Sequence, residues 1–462
     1  MKLPNNSSKK LFKGVQKITL RQISVIFLSL ILFSCSKQDE APKQFSSFGY
    51  RMDGSRFVPN IGVPSAVTSF EISTTVPSWA KGKDSIFYDF FSTLPVPLHT
   101  AGGYNFLIAD GMAQTTTIIA GNEKKTSKIF ASIPNGGNIT NILTDASGVY
   151  IIHSSGSIEA LDISGKMRWQ FSDKLIAGEV NAGCATLADT DLIIAGKYIG
   201  GSYFLSAIDI HNGKEIPFGG TGNDPYQSVI FDAVHDIVFS VGDSVLEGNR
   251  LYGDGNCILY EVFQERFHHP ELRIISNICL CGKTDGKIID KIAFGYLSKR
   301  PGTDERTMNV GIFSISRSPT GYTLEKISSH EVPYLPVNIA SNGPVVLSSG
   351  FYDSGTELTS GIDAFYADDT IKLWQRRFTY PVATPVAISE KFAYFTLTFS
   401  TQAEVPAQSI FYTLDLSTGK TLGELPVMGA QNGFISGIPM PMGESGFMLA
   451  DRNKPIIYFL KP

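Results

Sequence analysis

Residues Ile158–Trp169 read Ile-Glu-Ala-Leu-Asp-Ile-Ser-Gly-Lys-Met-Arg-Trp, and they indicate how the chain folds. Side chains alternate between two faces along an extended strand, so the first six residues predict a strand with Ile158, Ala160 and Asp162 on one face. Gly165 can take the positive φ that a tight turn needs, and the Asp162 carboxylate can accept hydrogen bonds from the turn amides. Met167–Phe171 then predicts a second strand. Alone, the stretch predicts a β-hairpin.

The same hairpin pattern recurs along the chain. Two clear copies are Ala207–Lys214, around Asp209 and Gly213, and Thr413–Lys420, around Asp415 and Gly419. A weaker copy between them, Ala364–Trp374, keeps the alanine and Trp374 but has Tyr366 and Thr370 in place of the aspartate and the glycine. The separations in sequence between these copies are typical of propeller repeats of about 40–50 residues.

Four-stranded units that cannot bury their own faces must stack on one another, and a closed ring of them leaves no long free edge. We therefore predict an all-β β-propeller of about eight four-stranded blades, with seven as the alternative. The last blade has room for only three strands, and a strand at Ala66–Ile72 could complete it and close the ring. Candidate blades begin near Tyr104, Ile139, Val180, Gln227, Arg273, Val337, Pro385 and Phe434.

The repeat, Ala-x-Asp-x-x-Thr-Gly-x-x-x-Trp, resembles the blade signature of the PQQ-like (quinoprotein-type) propellers. Thr413–Gly423 keeps its full spacing but lacks the tryptophan, whereas Ile158–Trp169 has the tryptophan and a turn one residue shorter. The resemblance covers roughly residues 104–462. It implies that Trp169 and Trp374 are docking tryptophans that wedge one blade against the next.

The amino terminus predicts export. Six basic and no acidic residues precede Cys35, and Ile23–Phe33 is an apolar run of signal-peptide length, too short to span a bilayer comfortably. The run ends in Leu-Phe-Ser-Cys, which resembles a bacterial lipobox with Cys35 as the acylated residue. The alternative is an ordinary secretory signal that contains a cysteine.

Lys37, Asp39 and Glu40 follow the predicted lipidation site. They resemble the surface-export signal of Bacteroidota lipoproteins, although a solvated, charged tether would have the same composition. We expect residues 1–34 to be a signal peptide, 35–60 a lipidated tether and 61–462 the propeller. The expected location is the outer membrane, lipid-anchored and surface-exposed, with a periplasm-facing protein as the alternative.

Charge argues against a nucleic-acid partner. The whole chain has 39 basic and 43 acidic side chains. Removing the six basic residues of the signal leaves 33 − 43 = −10, and no basic block remains for a phosphate backbone.

The segment 246–306 departs most from the repeat and contains three of the four remaining cysteines, Cys257, Cys279 and Cys281; the fourth is Cys184. Cys279 and Cys281 point to the same side of a strand, so they cannot easily bond to each other. Either could pair with Cys257. A zinc site with His268 or His269 is the sharper alternative, but it lacks Cys-x-x-Cys spacing.

No catalytic motif is present, and we expect neither a cofactor nor a metal. Quinone-dependent dehydrogenases of this fold use a vicinal cysteine pair, whereas this chain has Cys-Leu-Cys. Asp162, Asp209 and Asp415 lie where the repeat needs turn caps. Carboxylates cannot be paired across blades from sequence alone, so a glycosidase stays open.

These features predict a non-catalytic scaffold that binds outer-membrane or surface proteins and is held in the outer-membrane lipid by acylated Cys35. The anchor and repeat are similar to those of propeller lipoproteins of the outer-membrane β-barrel assembly machinery. The alternatives are a glycan-binding or glycan-cleaving surface propeller and, less favoured, a PQQ-dependent dehydrogenase.

Overall fold

A computed structural model describes most of the chain from Phe45 onward. The described residues are 45–46, 56–72, 96–98, 105–110, 115–134, 139–153, 156–172, 185–188, 191–199, 202–216, 228–233, 236–242, 245–252, 258–266, 273–282, 290–300, 302–318, 321–353, 358–379, 381–383, 385–399, 408–427, 435, 438–442, 445–451 and 454–462. The chain divides into two compact units, Met1–Lys43 and Gln44–Pro462, and all described residues belong to the second.

The second unit is an all-β propeller of eight antiparallel sheets, and the described residues contain no helix. The all-β prediction and the count of eight are confirmed, and the alternative of seven blades is wrong. Blades 1 to 4 comprise, in order, Val96–Pro97, Phe106–Asp110, Thr115–Gly121 and Ser127–Pro134; Ile139–Thr144, Val149–His153, Ile158–Leu161 and Met167–Phe171; Ala185–Ala188, Leu192–Ile199, Ser202–Asp209 and Glu215–Ile216; Ser228–Asp232, Ile237–Val241, Val245–Tyr252 and Ile258–Arg266.

In blades 5 and 7 the first strand is broken into two short pieces. Blades 5 to 8 comprise Arg273–Ile274 with Cys279–Cys281, Lys291–Lys299, Arg306–Ser318 and Gly321–Val332; Leu335–Ser341, Val345–Asp353, Leu358–Tyr366 and Lys372–Thr379; Pro381–Ala383 with Ala387–Ile388, Phe392–Phe399, Gln408–Asp415 and Thr421–Pro426; Met440–Pro441, Phe447–Ala450, Ile456–Lys461 and Ala66–Glu71. The divergent segment 246–306 thus supplies strands to blades 4 and 5.

Ring closure uses both ends of the propeller. Ala66–Glu71 forms the outer strand of blade 8, antiparallel to Ile456–Lys461, with Ala66 opposite Lys461 and Glu71 opposite Ile456. The sequence prediction of this closing strand is confirmed. It removes the open edge that a three-stranded last blade would present.

Burial explains the sequence pattern of the strands. Second strands lie between neighbouring blades with both faces covered, so Val149–His153 is apolar at four of its five positions and buried at all five. Outer strands keep one face toward water, and burial alternates along Thr421–Pro426.

Apolar side chains pack between neighbouring blades in a series of separate clusters. The rings of Tyr394 in blade 7 and Phe447 in blade 8 have centroids 4.6 Å apart. Phe106 of blade 1 and Phe459 of blade 8 have centroids 6.1 Å apart. Contacts between consecutive blades therefore continue from the last blade to the first.

Two rims result from this topology. The connections between the first and second strands and between the third and fourth strands lie at one end of each blade, and we call this end the hairpin rim. The connections between the second and third strands lie at the other end, the opposite rim. First strands of several consecutive blades contact one another and line the central channel.

Candidate functional site: the repeat turns and the central channel

The repeat aspartates hold the turns of the hairpin rim. Asp162 Oδ1 accepts hydrogen bonds from the amides of Ser164, at 2.8 Å, and Lys166, at 3.0 Å. Gly165 has a φ of +91°, which strains any residue with a Cβ. The carboxylate is therefore committed to its own turn.

The two other repeat aspartates have the same role. Asp209 Oδ1 accepts from the amide of His211 at 2.7 Å, and Asp415 Oδ1 accepts from the amide of Thr418 at 2.8 Å. These bonds lie within one turn of the chain, so they stabilise the hairpin.

Hydrogen bonding also lowers the pKa of the Asp162 and Asp415 carboxyl groups. The Ser164 hydroxyl and the Lys166 amide hold the pKa of Asp162 below its ordinary value. The Ser417 and Thr418 side chains do the same for the pKa of Asp415. Both groups stay ionised well into the acid range because the donors favour the charged form.

Trp169 joins blade 2 to blade 3. Its indole Nε1–H donates to the Ile210 carbonyl at 2.7 Å, in the repeat turn of the next blade. Gly213 of that turn lies on the indole ring, where an added Cβ would stand 2.6 Å from a ring carbon. The glycine is needed here for close approach as well as for the turn.

Trp374 repeats the contact between blades 6 and 7. Its indole Nε1–H donates to the Leu416 carbonyl at 2.7 Å, and Gly419 lies on its ring. The aspartate and the glycine of the repeat thus shape the turn of one blade, and the tryptophan of the preceding blade packs on that turn.

The central channel is occupied by the protein's own amino-terminal segment. Phe45–Ser46 extends blade 2 as a fifth, innermost strand, with Phe45 opposite Thr144 and Ser46 opposite Leu143. These two residues fall within the segment that the sequence predicts as a tether.

A second part of the predicted tether, Arg56–Val58, lies along the inner edge of blade 7; we call it the strap. The Val58 amide donates to the Ile388 carbonyl at 2.8 Å, and the Ile388 amide donates to the Arg56 carbonyl at 3.1 Å. Arg56 is fully buried, and its Nη2 donates to Asn277 Oδ1 in blade 5 at 3.2 Å. The strap therefore links two blades that are not neighbours.

Asn277 bonds to blade 6 as well as to Arg56 of the strap. Its Oδ1 also accepts from the Ile339 amide at 2.9 Å, and its Nδ2 donates to the Ile339 carbonyl at 3.0 Å. One buried amide thus connects blade 5, blade 6 and the strap. The sequence did not predict the contact between the strap and Asn277. The one local signal for it was the apolar pair Phe57-Val58 within the predicted tether.

The two cysteines of blade 5 lie in the buried core of the blade. Cys279 and Cys281 are fully buried and form no disulfide. Burial raises the pKa of the Cys281 thiol well above its ordinary value, so the thiolate that binds metals is disfavoured. No group of three His, Cys, Asp or Glu side chains within the described ranges is placed to hold a metal ion. Cys184, Cys257, His268 and His269 have no described side chains.

A buried charge cluster in blade 6 was not predicted. Asp363 is fully buried and pairs with Lys372 Nζ at 3.0 Å and with Arg377, whose Nη2 lies 3.1 Å from Oδ2. The Arg377 guanidinium also stacks over the Tyr334 ring at 5.3 Å. Two cations offset the cost of burying one carboxylate, and the contact with Tyr334 joins the cluster to the connection between blades 5 and 6.

Four predicted residues lie outside the described residues: the lipidation site Cys35 and the export residues Lys37, Asp39 and Glu40. The described part of the chain has no helix long and apolar enough to cross a membrane.

No protein-family model matches the sequence, and no curated protein is a significant match. Solved structures of similar fold include the computationally designed Ika8 protein (12% identity, TM-score 0.47, 79% of this chain and 96% of that one). The WD40 domain of SCAP from fission yeast is another (9% identity, TM-score 0.45, 87% and 98%). Apo AztD from Citrobacter koseri is a third (12% identity, TM-score 0.44, 73% and 86%).

Proposed function

We propose that this protein is an outer-membrane lipoprotein whose PQQ-like propeller is a non-catalytic scaffold for other proteins of an assembly, secretion or uptake complex. Acylated Cys35 anchors it in the outer membrane. The propeller fold supports the scaffold role, and the repeat and the lipobox-like sequence support the family and the anchor.

The occupied central channel carries this proposal. Small-molecule sites are concave and need open volume with a few convergent polar groups. In this protein Phe45–Ser46 and the strap lie on the channel-facing edges of blades 2 and 7. On these two blades the hydrogen-bonding edges that face the channel hold the protein's own chain, and we infer that partners bind instead at the rims, where loops are free to vary.

The test is purification of the tagged, lipidated protein from gently solubilised native membranes, followed by gel filtration and mass spectrometry. We expect an outer-membrane protein to elute with it in a constant ratio. The matched control is Cys35→Ala, which removes the acylated thiol and should abolish both membrane attachment and co-elution. Recovery of the wild-type protein alone from membranes would overturn the scaffold proposal.

Display on the outer surface is a separate part of the proposal and rests on Lys37, Asp39 and Glu40. Protease added to intact cells should degrade the wild-type protein. The double variant Asp39→Ala and Glu40→Ala should stay protected while keeping its anchor. Equal protection of both would place the protein on the periplasmic side.

A further inference from the structure

The exposed apolar side chains gather at one end of the propeller. Seven large hydrophobic residues in the described segments are strongly exposed. Phe351 lies toward the opposite rim, and the other six flank the hairpin between the third and fourth strands of their blades. These six are Ile129, Ile163, Met167, Tyr366, Ile371 and Leu422.

Three of them lie on the two hairpins that meet between blades 1 and 2. The turn of blade 2 packs against the outer strand of blade 1, because Gly165 lies directly on the Phe130 carbonyl. Ile129 is 66% exposed, Ile163 49% and Met167 46%. An apolar cluster of this kind on a rim marks an interaction surface.

Basic side chains surround this cluster. Lys124, Lys125 and Lys128 are exposed on the blade 1 hairpin, and Lys166 is exposed on the blade 2 turn. We call these four lysines with Ile129, Ile163 and Met167 the blade 1–2 patch.

The acidic groups within the two hairpins are already paired. Glu123 forms an ion pair with Lys461 at 2.9 Å, and Asp162 accepts hydrogen bonds from its own turn. Nearby Asp145, in the first hairpin of blade 2, accepts from the amides of Ser147 and Gly148 at 2.8 Å each. The patch therefore presents positive charge in a protein that is acidic as a whole.

The predicted anchor precedes Phe45 in the sequence, and Phe45 lies at this same end of the propeller. Phe45 pairs with Thr144, the last residue of its strand before the hairpin rim, and the pairing is antiparallel. The described segment that follows the anchor therefore begins beside the hairpin rim of blade 2. Ten residue steps separate Cys35 from Phe45 in the sequence, which allows a reach of roughly 35 Å at about 3.5 Å per residue.

We infer that the blade 1–2 patch rests on the anionic lipid surface that holds the acyl chains. The lysines would bind headgroup phosphates, and Ile163, Met167 and Ile129 would enter the headgroup layer, as basic and apolar groups do at membrane interfaces. The inference rests on the lipid anchor of the proposed function. It leaves the opposite rim facing away from the membrane, where protein partners can reach it.

Tryptophans added to the lipidated full-length protein test this orientation. Ile163→Trp places the probe in the patch, and Asp304→Trp places it at a fully exposed position of the opposite rim. Both are reconstituted into vesicles of anionic phospholipid whose acyl chains carry bromine, a quencher of tryptophan emission. We expect Ile163→Trp to lose its added emission and Asp304→Trp to keep it, each measured against the wild type. Met167→Trp repeats the measurement if Ile163→Trp folds poorly.

The triple variant Lys124→Glu, Lys125→Glu and Lys128→Glu, combined with Ile163→Trp, should lose the quenching while the protein still floats with the vesicles. Flotation without quenching of either patch tryptophan would overturn the inference and leave the anchor intact. Shielding of Ile163→Trp only after outer-membrane proteins are added would overturn it in favour of a protein interface. Failure to float would overturn the anchor, and the inference with it.

Discussion

At the scale of single residues, each docking tryptophan combines two contributions. The indole fills the space above a glycine of the next blade, and its N–H donates to a turn carbonyl of that blade. Trp374 is the more buried of the two, at 8% exposed, whereas Trp169 is partly buried. The two contributions can be separated by substitution.

Trp374→Ala should destabilise the protein by about 3–5 kcal/mol, because it opens a cavity between blades 6 and 7. Trp374→Phe keeps most of the ring and loses the bond to the Leu416 carbonyl, so it should cost less, about 1–3 kcal/mol. Trp169→Ala should destabilise the protein less than Trp374→Ala does, because Trp169 is less buried. Chemical denaturation measures all three, and near-wild-type stability of Trp374→Ala would contradict the docking role.

Asp415 makes the stability that its turn contributes to the fold depend on pH. The folded-state pKa is lowered, so the stabilisation is present above the ordinary Asp pKa of 3.8 and is lost as pH falls through the folded value. Asp415→Asn keeps an acceptor but no charge. The wild type should therefore have the higher melting temperature at neutral pH, with the difference shrinking in acid.

Lys420→Gln, a change in the same turn that leaves the carboxylate intact, is the control for Asp415→Asn. Its difference from the wild type should not shrink over the same acid range. A pH-independent difference for Asp415→Asn would show that charge is irrelevant to the turn.

At the scale of strands, the sequence predicted most blade starts but not the pairing of Phe45–Ser46. The blade starts near Ile139, Gln227 and Arg273 fall within one residue of observed first strands, because turn residues and apolar runs mark them locally. The predicted start near Tyr104 is wrong by one strand, since blade 1 begins at Val96 and Phe106–Asp110 is its second strand. The pairing of Phe45–Ser46 and the strap depends on edges that form only after the ring assembles, so no local pattern signals it. The Asp363 cluster lies within one hairpin of blade 6 and was missed for a different reason, because the sequence does not reveal that this aspartate is buried.

The closing strand offers a matched pair of proline variants. The Ile72 amide donates to the Pro455 carbonyl at 2.7 Å, so alternation in the ladder points the Thr68 N–H at Phe459 and the Ser69 N–H at solvent. Thr68→Pro should lower the melting temperature more than Ser69→Pro, since an outer strand tolerates proline where the N–H faces water. Equal effects would contradict this register.

At the scale of the whole molecule, the boundary between tether and propeller can be tested by deletion. Removing residues 36–43 should leave the melting temperature unchanged, because the second unit begins at Gln44. Removing residues 36–60 takes away Phe45–Ser46, the strap and the Arg56 bond to Asn277, and should lower it. Equal melting temperatures for the two deletions would show that the channel segment adds no stability.

Ring closure by Ala66–Glu71 also has a consequence for biogenesis. Ala66–Glu71 is synthesised early and must wait for its partner strand Ile456–Lys461, which lies far later in the sequence. Until that strand is made, blade 8 cannot form and Ala66–Glu71 stays unpaired, and unpaired strand edges are prone to aggregate. We therefore expect a chain truncated before Ile456 to aggregate or to be degraded more readily than the full chain.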